Sequence, residues 1–178
     1  MKKSILLLAV VLTTAVACSK SSSTPGGTDG PKTNVPVELT GNWMYGNFSM
    51  TEYWSQDPSD YLGNALEFAF AFTFNTNGTY TQYFTSSSAT GGVVTYQQSV
   101  TQGTMEVNTA AKKIITHPSK AHYKRTVNGQ VAEERDLSKN ELSGGVYYYT
   151  TGNETNGTNA LYLTLEGTTD PLTFLKKD

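Results

Sequence analysis

The sequence predicts an all-β domain, a small antiparallel up-and-down barrel or half-barrel of eight or nine strands with at most one short helix. Three observations predict it. Leu66, Phe68, Phe70, Phe72 and Phe74 alternate with Ala65, Glu67, Ala69, Ala71 and Thr73, a period of two that an extended strand turns into one apolar face. Short strand-like runs are separated by turn signals, of which Asn77-Gly78 and Asn128-Gly129 are the strongest because that pair tolerates positive φ. The composition, with 11 Tyr, 7 Phe, 16 Gly and only 16% charged residues, suits strands and turns better than helices.

The chain of 178 residues is long enough for one domain with a real core. It opens on Met1, Lys2 and Lys3, followed by an uncharged, mostly apolar run from Ser4 to Val16. That run is shorter than the roughly 20 residues needed to span a bilayer and suits the central region of a signal peptide. It ends at Ala15-Val16-Ala17-Cys18, which resembles the lipobox of bacterial lipoproteins, with Ala15 where Leu is usual. The resemblance implies cleavage after residue 17 and acylation of Cys18, the lipid anchor. Cys18 is the sole cysteine, so no disulfide competes for it. Several acyl chains, at about 0.8 kcal/mol per buried methylene, make a durable anchor. Ser19 after the cysteine resembles the signal for an outer-membrane destination in the bacterial cell envelope.

Residues 18–37 read as the lipidated cysteine and a flexible tether, because Ser21 to Pro31 is rich in Ser, Gly and Pro and offers almost nothing to bury. A coil of that length reaches about 20 to 25 Å. The folded domain is expected over residues 38–178. Taking Lys2 and Lys3 from the 13 basic residues leaves 11 against 15 acidic ones, so the mature chain is acidic and carries no basic footprint for nucleic acid.

Within the domain, strands are expected at Leu39 to Tyr53, Ala65 to Phe74, Thr79 to Phe84, Val93 to Val100, Thr104 to Asn108 and Lys113 to Thr116. Further strands are expected at Ala121 to Val127, Gln130 to Asp136, Glu141 to Thr150, Asn159 to Glu166 and Leu172 to Lys176. Asp57-Pro58 has the form of a helix N-cap and first residue, giving a short helix to about Leu62. The Phe-rich strand is the expected centre of the core, facing Leu161, Leu163 and Leu165, since each buried Phe contributes roughly 1.5 to 3 kcal/mol. A meander of this kind avoids sticky edges by closing on itself. A two-sheet sandwich fits the same pattern.

Leu39-Thr40-Gly41-Asn42-Trp43 resembles the Gly-x-Trp motif on the first strand of lipocalins. The order of Phe-rich strand, Gly103-containing strand and closing Leu161 to Leu165 and Phe174 to Lys177 is similar to compact lipocalin-like domains of Bacteroidetes lipoproteins. Lipocalins stack a late Arg over that Trp. Here Arg125 and Arg135 lie too early, and Lys176 or Lys177 is the expected substitute through a cation–aromatic contact. The resemblance implies a small apolar or amphiphilic ligand held without catalysis.

Candidate ligand-lining residues are Trp43, Tyr45, Phe68, Phe70, Tyr147 and Tyr149, since aromatic walls suit lipophilic molecules and sugar rings alike. The same rings serve equally as core, and a solid barrel would instead make a structural or docking module for an envelope protein or glycan, presenting Trp54 and the Tyr147 to Tyr149 run. No cofactor, metal site or catalytic residue is expected. His117 and His122 lack a third ligand at a recognisable spacing and, five apart, are expected on opposite faces of a strand. No Gly-x-Ser-x-Gly elbow is present. Catalysis would require one of these histidines beside a carboxylate in a cleft. Glu133, Glu134 and Asp136 read as a solvated strand edge that discourages aggregation.

Overall fold

The computed structural model describes residues 30–56 and 66–177. The signal segment, Cys18, most of the tether and the short helix expected after Asp57 lie outside the described residues. Among the described residues nine strands are present: β1 (Gly41–Tyr45), β2 (Leu66–Phe74), β3 (Thr79–Thr90), β4 (Val93–Asn108), β5 (Lys113–Val127), β6 (Gln130–Asp136), β7 (Val146–Asn153), β8 (Asn159–Leu165) and β9 (Leu172–Lys177). The described residues hold no helix beyond one 3-10 turn at Lys139–Glu141. All nine strands belong to one antiparallel sheet of order β4-β3-β2-β1-β9-β8-β7-β5-β6, which sets the sandwich aside. A further pairing of β4 with β5 closes eight of them into a ring, with β6 hydrogen-bonded to β5 outside it.

Register carries the alternation of β2 into that ring. Trp43 faces Phe72 and Tyr45 faces Phe70 across β1 and β2, so their rings share the interior. Phe72, Phe74, Leu161 and Leu163 are buried there, as the sequence leads one to expect, together with Phe174, Ile114 and Met105. The two ends of the hydrophobic ladder behave differently, because Phe68 and Leu165 reach the rim and are 43% and 46% exposed.

The two ends of the ring are unlike. At one end lie the β2–β3, β4–β5 and β7–β8 turns, and the segment from Gly30 to Thr40 packs across it. Thr33 N–H donates to Met105 O (3.1 Å) and Val35 N–H to Thr76 O (3.0 Å), while Val35 and Leu39 are buried in the core. Packing therefore begins ahead of Glu38, where the sequence placed the start of the domain. The other end is framed by Phe68, the start of β7 and the β8–β9 connection, and among the described residues no segment packs across it, so it is called the open end below.

The expected long strand from Leu39 to Tyr53 stops at Tyr45. Gly46 adopts φ +80°, and a Cβ there would stand 2.6 Å from that of Ala69, so the chain turns off the strand and crosses the outer face of the sheet. Phe48 and Tyr53 of this crossing bury Met44, Ala69 and Ala71. The small residues on the second face of β2 thus make room for a covering segment.

Two pairs of expected strands prove continuous. Val93 to Asn108 is one strand, and so is Lys113 to Val127 despite Pro118. Proline lacks an N–H and is tolerated here because β7 pairs with β5 only up to Ile115 and β6 only from His122, leaving Pro118 on a stretch with a single neighbour. The strand expected from Glu141 begins at Val146 instead, since Lys139–Glu141 forms the 3-10 turn, in which Glu141 accepts from Ser138 N–H at 2.8 Å.

Candidate functional site

The six aromatic candidates divide into two groups. Trp43 and Tyr149, each 2% exposed, fill the closed end. Trp43 Nε1–H donates to Leu39 O at 2.7 Å, and Lys176, directly opposite on β9, holds its ammonium 5.0 Å from the indole centroid. Lys176, on the last strand, therefore makes the cation–aromatic contact expected over this tryptophan. Gly41 permits it, because its φ of +106° suits only glycine and a Cβ would press to 3.2 Å from Lys176 Cε. Val35, Leu39, Met105 and Tyr149 are buried in the same cluster as Trp43 and pack this end.

Tyr45, Phe68, Phe70 and Tyr147 gather instead at the open end. Tyr45 stacks on Phe68 (centroids 5.5 Å apart, planes at 26°) and meets Phe174 at 5.9 Å. Phe70 and Tyr147, but not Tyr45 or Phe68, line a cavity of about 250 Å³. Buried Phe72, Phe174 and Leu163 form its inner side, and Phe70, Tyr147, Leu165 and Leu172 its outer walls. Thr168 and Asp170, from the β8–β9 connection, contribute the polar groups. The Tyr147 ring meets Phe72 edge-on at 5.8 Å, and burial pushes its phenol pKa upward. Its ring folds back over Gly145, where a Cβ would come within 2.6 Å of it. An apolar cavity with a polar lip is what hydrocarbon with a hydrated end requires.

A second concavity lies on the outer face. The expectation that His117 and His122 face opposite ways is overturned by a β-bulge: β4 residues Thr104 and Val100 pair with His117 and His122, four steps against five. The extra residue, Ser119, returns both rings to the same face. His117 Nε2 lies 2.8 Å from Glu106. His122 Nδ1 lies 2.8 Å from Asp136 and its Nε2 3.5 Å from Glu134, while Trp54 stands edge-on at 5.0 Å. The hydrogen bond to Asp136, outweighing partial desolvation and reinforced by Glu134, raises the His122 pKa above its ordinary value.

A histidine beside a carboxylate in a concavity is the arrangement catalysis would require. Both nitrogens of His122 are engaged by carboxylates, however, and Ser119 Oγ donates to Gln102 O at 3.2 Å rather than to a histidine. His122 thus has a carboxylate on each nitrogen, whereas His117 has Glu106 on its Nε2 alone. Among the described residues, no group of three or more His, Cys, Asp and Glu side chains is arranged to hold a metal ion.

The acidic run separates by face. Glu133 pairs with Arg125 (3.6 Å) and Arg135 (2.8 Å), whereas Glu134 and Asp136 share the His122 face. Arg135 also binds Glu141 at 2.7 Å, which, with Ser138, lowers the Glu141 pKa to about 2. No protein-family model matches the chain, and no curated protein matches it.

Proposed function

We propose that this chain is a lipid-anchored cell-envelope protein whose ring holds, without catalysis, one small apolar group of an amphiphile at its open end. The observation that carries this reading is the cavity of about 250 Å³ lined mainly by Phe, Tyr and Leu side chains. Drug-sized ligands occupy roughly 300 to 1,000 Å³, so this space suits the end of an acyl chain or a single ring rather than a whole lipid. Thr168 and Asp170 at the lip favour a neutral or cationic head group. The lipobox-like segment ending at Cys18 supports a membrane address, and the covered end of the ring, which the N-terminal segment crosses, directs the open end away from the tether.

The test is extraction of lipids from protein purified out of its own membranes, combined with displacement of N-phenyl-1-naphthylamine, a neutral apolar fluorescent probe. A bound amphiphile is expected, with probe affinity at least tenfold weaker in Leu165→Trp, whose exposed side chain can grow into the cavity without disturbing the core. Empty protein that ignores the probe would remove this reading. It would leave the second, an envelope docking module, which the solid packing around Trp43 supports.

A further inference from the structure

Three contiguous depressions follow the outer face. The first, about 370 Å³, lies at the bulge beside His117, Pro118 and Ser119. The second, about 430 Å³, runs past Lys120 and His122 to Trp54 and shares Ser119, Lys139 and Leu142 with the first. The third, about 390 Å³, continues beyond Trp54 between Met50, Glu52 and Tyr83. Trp54 and Val100 border both the second and the third. A 36% exposed indole therefore stands midway along one trough.

The charges along this trough are unequally satisfied. His122 is matched by Asp136 and Glu134. Lys124 Nζ donates to Trp54 O at 3.3 Å, fixing the crossing segment to β5. Lys120 and Lys139 are exposed, and among the described residues neither enters an ion pair. The trough thus offers an aromatic platform, two unmatched ammonium groups in its first two depressions, and the Gln102 amide and Ser119 hydroxyl as short polar contacts, while Glu52 leaves the third depression beyond Trp54 to the neutral part of a ligand.

We propose that this trough binds an acidic oligosaccharide, with Trp54 packing on the apolar face of one sugar ring and Lys120 and Lys139 receiving its carboxylates. Indole faces suit sugar rings because one side of the ring presents C–H bonds while its hydroxyls remain available at the edge. Amide and hydroxyl side chains then supply the directional bonds. An apolar ligand is a poor fit, since the trough is lined about as much by polar as by apolar groups. The length, with the indole between two depressions, suits several linked sugars rather than one. This site is separate from the cavity inside the ring, and it stands or falls independently of that reading.

The experiment is calorimetric and fluorescence titration of the full mature chain in detergent with tetragalacturonate, using maltotetraose and inorganic phosphate as controls. Trp43 is buried and unchanged throughout, so a change in tryptophan emission reports Trp54. Tetragalacturonate is expected to bind with an emission change and to weaken as salt rises. Trp54→Ala should abolish binding and Lys120→Ala/Lys139→Ala should weaken it at least tenfold, with thermal melts showing both variants folded. Maltotetraose is expected to bind at least tenfold more weakly. Any of four results would overturn the proposal: no binding of tetragalacturonate, undiminished binding by folded Trp54→Ala, equal affinity for maltotetraose, or displacement by phosphate at equal concentration.

Discussion

The hydroxyl of Tyr53 stands within the β3–β4 ladder, accepting a hydrogen bond from Ser99 N–H at 3.0 Å. It lies 2.9 Å from Ser99 O and also within hydrogen-bond reach of Phe84 O, the residue paired with Ser99 across the ladder. A side chain from the crossing segment thereby replaces part of the backbone pairing of two strands, tying the 46–56 segment to the sheet. Desolvation pushes the Tyr53 phenol pKa far upward, so the group stays neutral.

Tyr53→Phe should therefore destabilise the domain by about 1–3 kcal/mol, because Ser99 N–H and Phe84 O lose a partner in a partly buried setting. Urea unfolding measures the loss. Hydrogen exchange at Ser99 should accelerate more than at Gly103.

The closed end depends on the contact between Lys176 and Trp43. Lys176 Nζ also donates to Thr40 O at 2.9 Å, so one ammonium serves the indole face and a carbonyl. Lys176→Met keeps the apolar stem and should cost about 1 kcal/mol, and Lys176→Ala should cost more because the stem that covers Trp43 is lost as well. Thermal melts rank the variants, and a red shift of Trp43 emission is expected for Lys176→Ala alone.

Along β2, position decides the cost of removing a ring. Phe72 is 2% exposed and touches Phe74, Phe174 and Tyr147, so Phe72→Ala should lose about 3–5 kcal/mol. Phe68, at the rim, should lose about 1 kcal/mol or less. Equal losses in chemical denaturation would contradict the inward placement of Phe72.

The raised pKa of His122 gives stability a pH dependence of definite sign. The folded form binds the proton more tightly than the unfolded chain, so the contribution is complete below the unfolded pKa of about 6.5 and fades as pH rises through the raised folded value. The difference in Tm between the protein and His122→Gln should be largest near pH 6 and shrink on moving towards pH 9. A difference that grows with pH would contradict the pairing with Asp136 and Glu134.

Legibility in the sequence follows the range of the interactions. The alternation from Phe68 to Phe74, the Asn-Gly turns and the Leu161–Leu163 face depend on neighbours one or two residues away, and they identify strands, inward faces and an all-β sheet. Lys176 over Trp43 was legible from a motif and a basic residue on the last strand. The crossing at 46–56 was not, because Trp43, Tyr45 and Tyr53 suggest a long strand and only the close approach of Gly46 to Ala69 shows why it ends. Pro118 lies between two strands expected to be separate, whereas β5 runs through it, and a bulge against β4 at Ser119 brings both histidines to one face. The cavity at the open end arises from the β8–β9 connection meeting β2 and β7, a juxtaposition that no local spacing encodes.

The central claim, that the open end of the ring admits hydrocarbon while the closed end is solid, is tested most directly by methyl NMR of leucine-labelled protein titrated with dodecyltrimethylammonium. Shifts are predicted at Leu163, Leu165 and Leu172, which border the cavity, with Leu39 and Leu161, both fully buried, unmoved. Silence at the first three, or equal movement at Leu39 and Leu161, would contradict the account.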